Sequence, residues 1–144
     1  MSIKNTLKEK LKNGQTVVGT WSSLSSPNVI NVLGTTGLDF VVIDMEHGSM
    51  SFETADKAIE VMFKSPASCL KVEFQGGEPL LRFDVLKYIV EEATKRNDGR
   101  DLEFVVATTL SLVTDEMLEF FSKHSVLVST SLDGPGDLHN GNRP

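Results

Sequence analysis

Five short β-rich runs recur along this chain, each followed by a longer segment of helical period, and that alternation constrains the fold more than any other feature. The runs are Thr16 to Trp21, Phe40 to Asp44, Leu70 to Gln75, Leu102 to Thr108 and Val126 to Ser131. Their first residues lie roughly 23 to 32 positions apart, the spacing of βα units. Between them, Pro27 to Leu33, Phe52 to Lys64, Leu80 to Lys95 and Thr114 to Lys123 carry apolar residues at helical intervals. An amphipathic first helix is expected within Met1 to Asn13, around Ile3, Leu7 and Leu11. Helix boundaries have physical causes: Ser26 precedes Pro27 as a cap, Gly34 ends that helix, Thr114 caps ahead of Asp115 and Glu116, and Asn97-Asp98-Gly99 makes a turn. The pattern predicts an α/β fold, a partial (βα) TIM-like barrel with about five parallel strands. It reads as one domain over residues 1–144, since no composition break or linker divides it.

Composition excludes several function classes. A net charge of −6 and an isoelectric point near 5.0, with no stripe of Lys and Arg, argue against a nucleic-acid partner. No apolar run approaches the roughly 20 residues that span a bilayer, so no membrane partner and a cytoplasmic location are expected. The single cysteine, Cys69, forbids an intrachain disulfide. A small-molecule ligand is the expected partner. Five strands also cannot close an eight-stranded barrel, which predicts self-association or a partner covering the open edge.

In βα folds the strands' carboxyl ends carry the chemistry. Here they read Thr20-Trp21, Asp44-Met-Glu46-His47-Gly48, Gly76-Gly77-Glu78, Thr108-Thr109 and Ser131-Leu-Asp133-Gly134. The run Val72-Glu-Phe-Gln-Gly-Gly-Glu-Pro-Leu80 is the sharpest of them. A β-branched and aromatic strand stops at paired glycines, which let a ligand approach the backbone, and Pro79 suits a helix start. His47 has a pKa suited to general base work, with Asp44 and Glu46 placed to orient it. His124, near the end of the fourth helix, reads as a helix-dipole partner and not a catalyst.

Two resemblances attach to these residues. Val18-Gly-Thr-Trp21, Ser26-Pro27, Phe40-Val-Val-Ile-Asp44 and Glu46-His47-Gly48 resemble the opening of the metal-dependent 2-oxo-acid aldolases related to 2,4-dihydroxyheptenedioate aldolase and citrate lyase. That likeness covers residues 1–49 and implies His47 as base, Asp44 and Glu46 as supporting groups, and a divalent metal, Mg or Mn. The family's later arginine and metal-binding acidic pair are not matched. Residues 50–144 resemble the core of radical S-adenosylmethionine peptide maturases of the His-Xaa-Ser system type. The likeness rests on Ser51-Phe-Glu-Thr-Ala55, Val72 to Leu81, Phe104 to Leu112, Ser129-Thr-Ser-Leu-Asp-Gly-Pro135, Leu138-His139-Asn140 and Asn142-Arg143-Pro144. It implies S-adenosylmethionine as cofactor. Gly76, Gly77 and Glu78 would receive its ammonium, Ser131 and Arg143 its carboxylate, and Thr109 stands where relatives place a ribose-contacting asparagine. Those enzymes hold an iron-sulfur cluster with three cysteines, so no cluster is expected from this chain. The sequence therefore reads as an apparent chimera, joined near Gly48 to Ala55. Three functions remain open: an S-adenosylmethionine-binding module, a 2-oxo-acid lyase remnant, and an inert scaffold.

Overall fold

The computed structural model describes residues 6–24, 26–44 and 50–142. Along them run α1 (Thr6–Lys12), β1 (Gly19–Ser22), α2 (Pro27–Leu33), β2 (Phe40–Ile43), α3 (Phe52–Phe63), β3 (Cys69–Phe74), α4 (Phe83–Arg96), β4 (Asp101–Ala107), α5 (Asp115–Lys123), β5 (Leu127–Ser129) and α6 (Gly136–Asn142). A 3-10 turn, Pro79–Arg82, leads into α4. The protein is a mixed α/β fold whose strand ladders are all parallel.

The expected strands are present, but they do not form one five-stranded sheet. β1 pairs with β2, with Trp21 opposite Val42, while β3, β4 and β5 form a separate sheet in that order. In the larger sheet Val72 lies opposite Phe104 and Val106 opposite Val128. Among the described residues the two sheets are bridged by side-chain packing and not by a ladder. α2 lies against α3, and Ile43 at the end of β2 packs on the larger sheet's core. Gly34 shows how close the approach is: a Cβ there would stand 2.4 Å from a Val61 methyl carbon. This glycine has ordinary right-handed φ, so packing and not backbone freedom requires it.

The core belongs mainly to the three-stranded unit. Val85, Leu86, Ile89, Val90 and Ala93 form the buried face of α4 at helical spacing. They meet Phe74, Phe104 and Val106 from the sheet, Phe120 and Phe121 from α5, and Ala55 and Ile59 from α3. Phe104, Val105 and Val106 are consecutive and all buried, as a central strand covered on both faces requires. By contrast Leu127 and Val128 on the edge strand β5 and Trp21, Phe40 and Val41 on the smaller sheet are exposed.

Local chemistry explains most boundaries. The Thr114 hydroxyl accepts from the Met117 amide as the α5 cap. Ser51 does the same for Thr54 at α3, whereas Ser26 makes no side-chain cap at α2, contrary to expectation. The predicted single helix from Leu80 is divided, because Arg82 leaves helical geometry at φ −120°, ψ 44° between the 3-10 turn and α4. The last helix, α6, was not expected: its seven residues include two glycines and bury none of their side chains. His124 sits at the C-cap of α5, with its ring 4.4 Å from that of Phe120.

At the start of β3 and β4, Arg100 fastens the loops. Its guanidinium donates to the carbonyls of Phe63 at 2.8 Å and of Ser65, and it is held by Asp98. The Asn97 side chain brackets the same turn, accepting from the Arg100 amide at 3.0 Å and donating to its carbonyl at 2.9 Å. Gly99, at φ +96°, supplies the left-handed residue that the turn needs.

Candidate binding site at the ends of the three-stranded sheet

At the other end of β3, β4 and β5 a cavity of about 560 Å³ opens, within the size range of small-molecule sites. Gly76 and Gly77 form one wall. Both have positive φ, +93° and +51°, so the chain doubles back after β3 in a conformation that side chains with a Cβ resist. Thr108, Thr109 and Ser111 after β4 form a second wall, and Ser129 at the end of β5 with Thr130 and Ser131 beyond it a third. His139 of α6 completes the lining. Among the described residues the lining holds six hydroxyls and no lysine, arginine or carboxylate.

Glu78 governs this end of the sheet from behind the lining. Its Oε1 accepts from the Leu80 amide at 3.1 Å and the Thr108 hydroxyl at 2.5 Å. Its Oε2 accepts from the Thr109 amide at 2.9 Å and the Thr109 hydroxyl at 2.7 Å. One carboxylate thus caps the 3-10 turn and ties the β3 loop to the β4 loop. Partial burial works against the charge, but the donors of Thr108, Thr109 and Leu80 outweigh it and hold the carboxyl below the usual glutamate range.

The β4 loop is strained to meet this arrangement. Leu110 has φ +64°, an unfavourable region for a residue with a branched side chain, and its amide donates to the Thr108 hydroxyl at 3.0 Å. The turn brings the Ser111 hydroxyl to 2.9 Å from that of Thr109. On the α6 side, Nδ1 of His139 accepts from the Asp133 amide at 3.3 Å, so the proton of the neutral ring sits on Nε2.

Of the residues singled out in the sequence, Gly76, Gly77, Thr109 and Ser131 share the cavity, with Glu78 hydrogen-bonded to Thr109. Asp44 follows β2, where its amide donates to the Ser22 carbonyl at 2.8 Å, and it does not line this cavity. Glu46, His47 and Arg143 lie outside the described residues. His139, Thr108, Ser111, Ser129 and Thr130 line the cavity without having been singled out as site residues. Thr108, Ser111, Ser129 and Thr130 had the sequence signal of lying at or just past a strand end, whereas His139 lies in α6, away from any strand end. Among the described residues no cluster of His, Cys, Asp and Glu could hold a metal ion. Cys69 is buried in β3, and burial together with the charges of Glu103 and Asp101 pushes its thiol up. No described helix is long and apolar enough to cross a membrane.

Comparison with known proteins gives partial relatives, radical S-adenosylmethionine maturases and 2-oxo-acid aldolases among them. No family model matches the chain. The serine-type anaerobic sulfatase-maturating enzyme of Bacteroides thetaiotaomicron is 33% identical over 93 residues, covering 63% of this chain and 22% of that protein. The radical SAM cyclopropyl synthase TigE of Paramaledivibacter caminithermalis is 29% identical over 84 residues, covering 58% of this chain and 18% of that one. The hydroxypyruvate/pyruvate aldolase of Roseovarius nubinhibens is 33% identical over 82 residues, covering 57% and 32% respectively. The chain spans less than a third of the length of each of these three relatives. Its resemblance is mixed, to radical S-adenosylmethionine maturases and to 2-oxo-acid aldolases.

Proposed function

We propose that this chain is a binding module for S-adenosylmethionine, holding the ligand over the ends of β3, β4 and β5. The observation that carries the reading is the pair of left-handed glycines, Gly76 and Gly77, opening onto a cavity lined with hydroxyls. In this reading Gly76 and Gly77 bring backbone against the methionyl end, and Ser131 and Arg143 hold the carboxylate. The partial relationship to radical S-adenosylmethionine maturases supports the choice of ligand. With one cysteine, itself buried and raised in pKa, the chain offers no thiolate set for an iron-sulfur cluster and starts no radical chemistry by itself. Calorimetric titration of the purified protein with S-adenosylmethionine is expected to show saturable binding, weakened at least about tenfold by Gly77→Val, which forces a β-branched residue into positive φ. Absence of saturable binding to the wild type overturns the proposal.

A second reading rests on the aldolase relative. The first 49 residues would then be a 2-oxo-acid lyase remnant with His47 as base and Asp44 and Glu46 in support. The same preparation would release pyruvate from a 4-hydroxy-2-oxo acid in the presence of Mn²⁺, and His47→Ala would abolish the release. In both readings the chain is a join of two βα-barrel pieces, a partial barrel whose exposed apolar strands, Leu127 and Val128 on β5 among them, face a second copy or another partner. Sedimentation is expected to show self-association, and a monodisperse monomer at moderate concentration would contradict it.

A further inference from the structure

The hydrogen bonds around Glu78 fix the direction of every proton between it and the cavity. An ionised carboxylate only accepts. Each threonine hydroxyl has a single proton, and those of Thr108 and Thr109 are spent on Glu78. The contact of 2.9 Å between Ser111 and Thr109 therefore needs Ser111 as donor. That leaves the Ser111 oxygen, which lines the cavity, with lone pairs and no proton to offer. The relay runs Ser111 to Thr109 to Glu78 and ends on a full negative charge, which makes the Ser111 oxygen a stronger acceptor than an isolated hydroxyl. The left-handed Leu110 holds the loop in the turn that brings Ser111 onto Thr109.

We propose that Ser111 is a specificity-determining residue, an acceptor-only hydroxyl that selects ligands presenting an ammonium or another N–H donor and disfavours carboxylates and phosphates at that position. Glu78 then recognises the ligand's charge through two intervening hydroxyls and not by direct contact, because its own oxygens already accept four hydrogen bonds. The inference deepens the S-adenosylmethionine reading, whose ligand carries such an ammonium, and rests on it for the choice of probe.

The test compares S-adenosylmethionine with its analogue lacking the α-amino group, on wild type, Ser111→Ala and Ser111→Thr. Wild type should prefer the amine by about tenfold, the worth of one hydrogen bond to a charged donor. Ser111→Ala should lose that preference and Ser111→Thr should keep it. A preference that persists in Ser111→Ala, or none in wild type, overturns the proposal while leaving the cofactor reading standing. Carbon-13 titration of Glu78 supplies an independent sign. If the relay instead ran from Thr109 to Ser111, removing Ser111 would return the Thr109 proton to Glu78 and lower its pKa. A lowered value in Ser111→Ala therefore overturns the proposal, and an unchanged or raised value supports it. Should wild type bind neither nucleoside, methylammonium chloride is titrated against sodium chloride at equal ionic strength. A saturable, ammonium-specific shift at Ser111 and Glu78 would retain the acceptor role and reject S-adenosylmethionine, and no shift would overturn both.

Discussion

Phe121→Ala is expected to lower the unfolding free energy by about 3 to 5 kcal/mol, the usual loss for a buried phenylalanine. Phe121 is 3% exposed, and its ring meets those of Phe83 and Phe120 edge-on at centroid separations of 6.0 and 6.4 Å. Those contacts join α5 to the start of α4, so the truncation removes apolar area and leaves a cavity that two separate elements would have to move to fill. A domain of this size commonly has only about 5 to 15 kcal/mol in total, so the variant would unfold at far lower urea. Leu118, on the same helix but 49% exposed, is the control. Leu118→Ala should cost no more than about 0.5 kcal/mol. Equal losses at the two positions would mean that α5 does not present this face to the core.

Glu78→Ala is expected to cost about 2 kcal/mol near neutral pH, because four donors lose a charged acceptor and the β3 and β4 loops lose their tie. The effect depends on pH with a defined sign. The folded-state pKa of Glu78 lies below its ordinary value of 4.5. Its contribution is therefore complete above that value and is lost as pH falls from there through the folded pKa. The stability gap between wild type and Glu78→Ala should shrink on acidification below pH 4.5 and stay level from pH 6 to 8. A gap that widened in acid would contradict the hydrogen bonds described. Glu78→Gln should fall between the two, since the amide keeps one acceptor oxygen but turns its NH2 toward one backbone N–H and one threonine hydroxyl.

The elements were legible in the sequence wherever local chemistry set them. β3 ends at the paired glycines because nothing before them resists the strand and both adopt positive φ. Thr114 and the Asn97 turn were equally visible, since their partners are three residues away. What was not legible depends on distant partners. Glu78 looked like a residue waiting for a ligand, yet its acceptor capacity is taken by Thr108 and Thr109, about thirty positions along the chain. No local pattern announces that pairing. The βα rhythm likewise predicts five strands but not that β2 and β3 fall in different sheets, because period does not record which strand lies beside which. α6 escaped because its glycines and unburied side chains give it neither propensity nor an apolar stripe, and with it escaped the place of His139 in the cavity.

Arg100 and the hydroxyl-lined cavity occupy opposite ends of the same strands. The guanidinium that gathers the carbonyls of Phe63 and Ser65 works where β3 and β4 begin, so none of its bonds is shared with the loops that finish them. Mutational tolerance is therefore divided along the strand axis. The finishing loops are free to explore new chemistry over a base fastened independently of them, a division of labour by which one scaffold can outlive a change of trade.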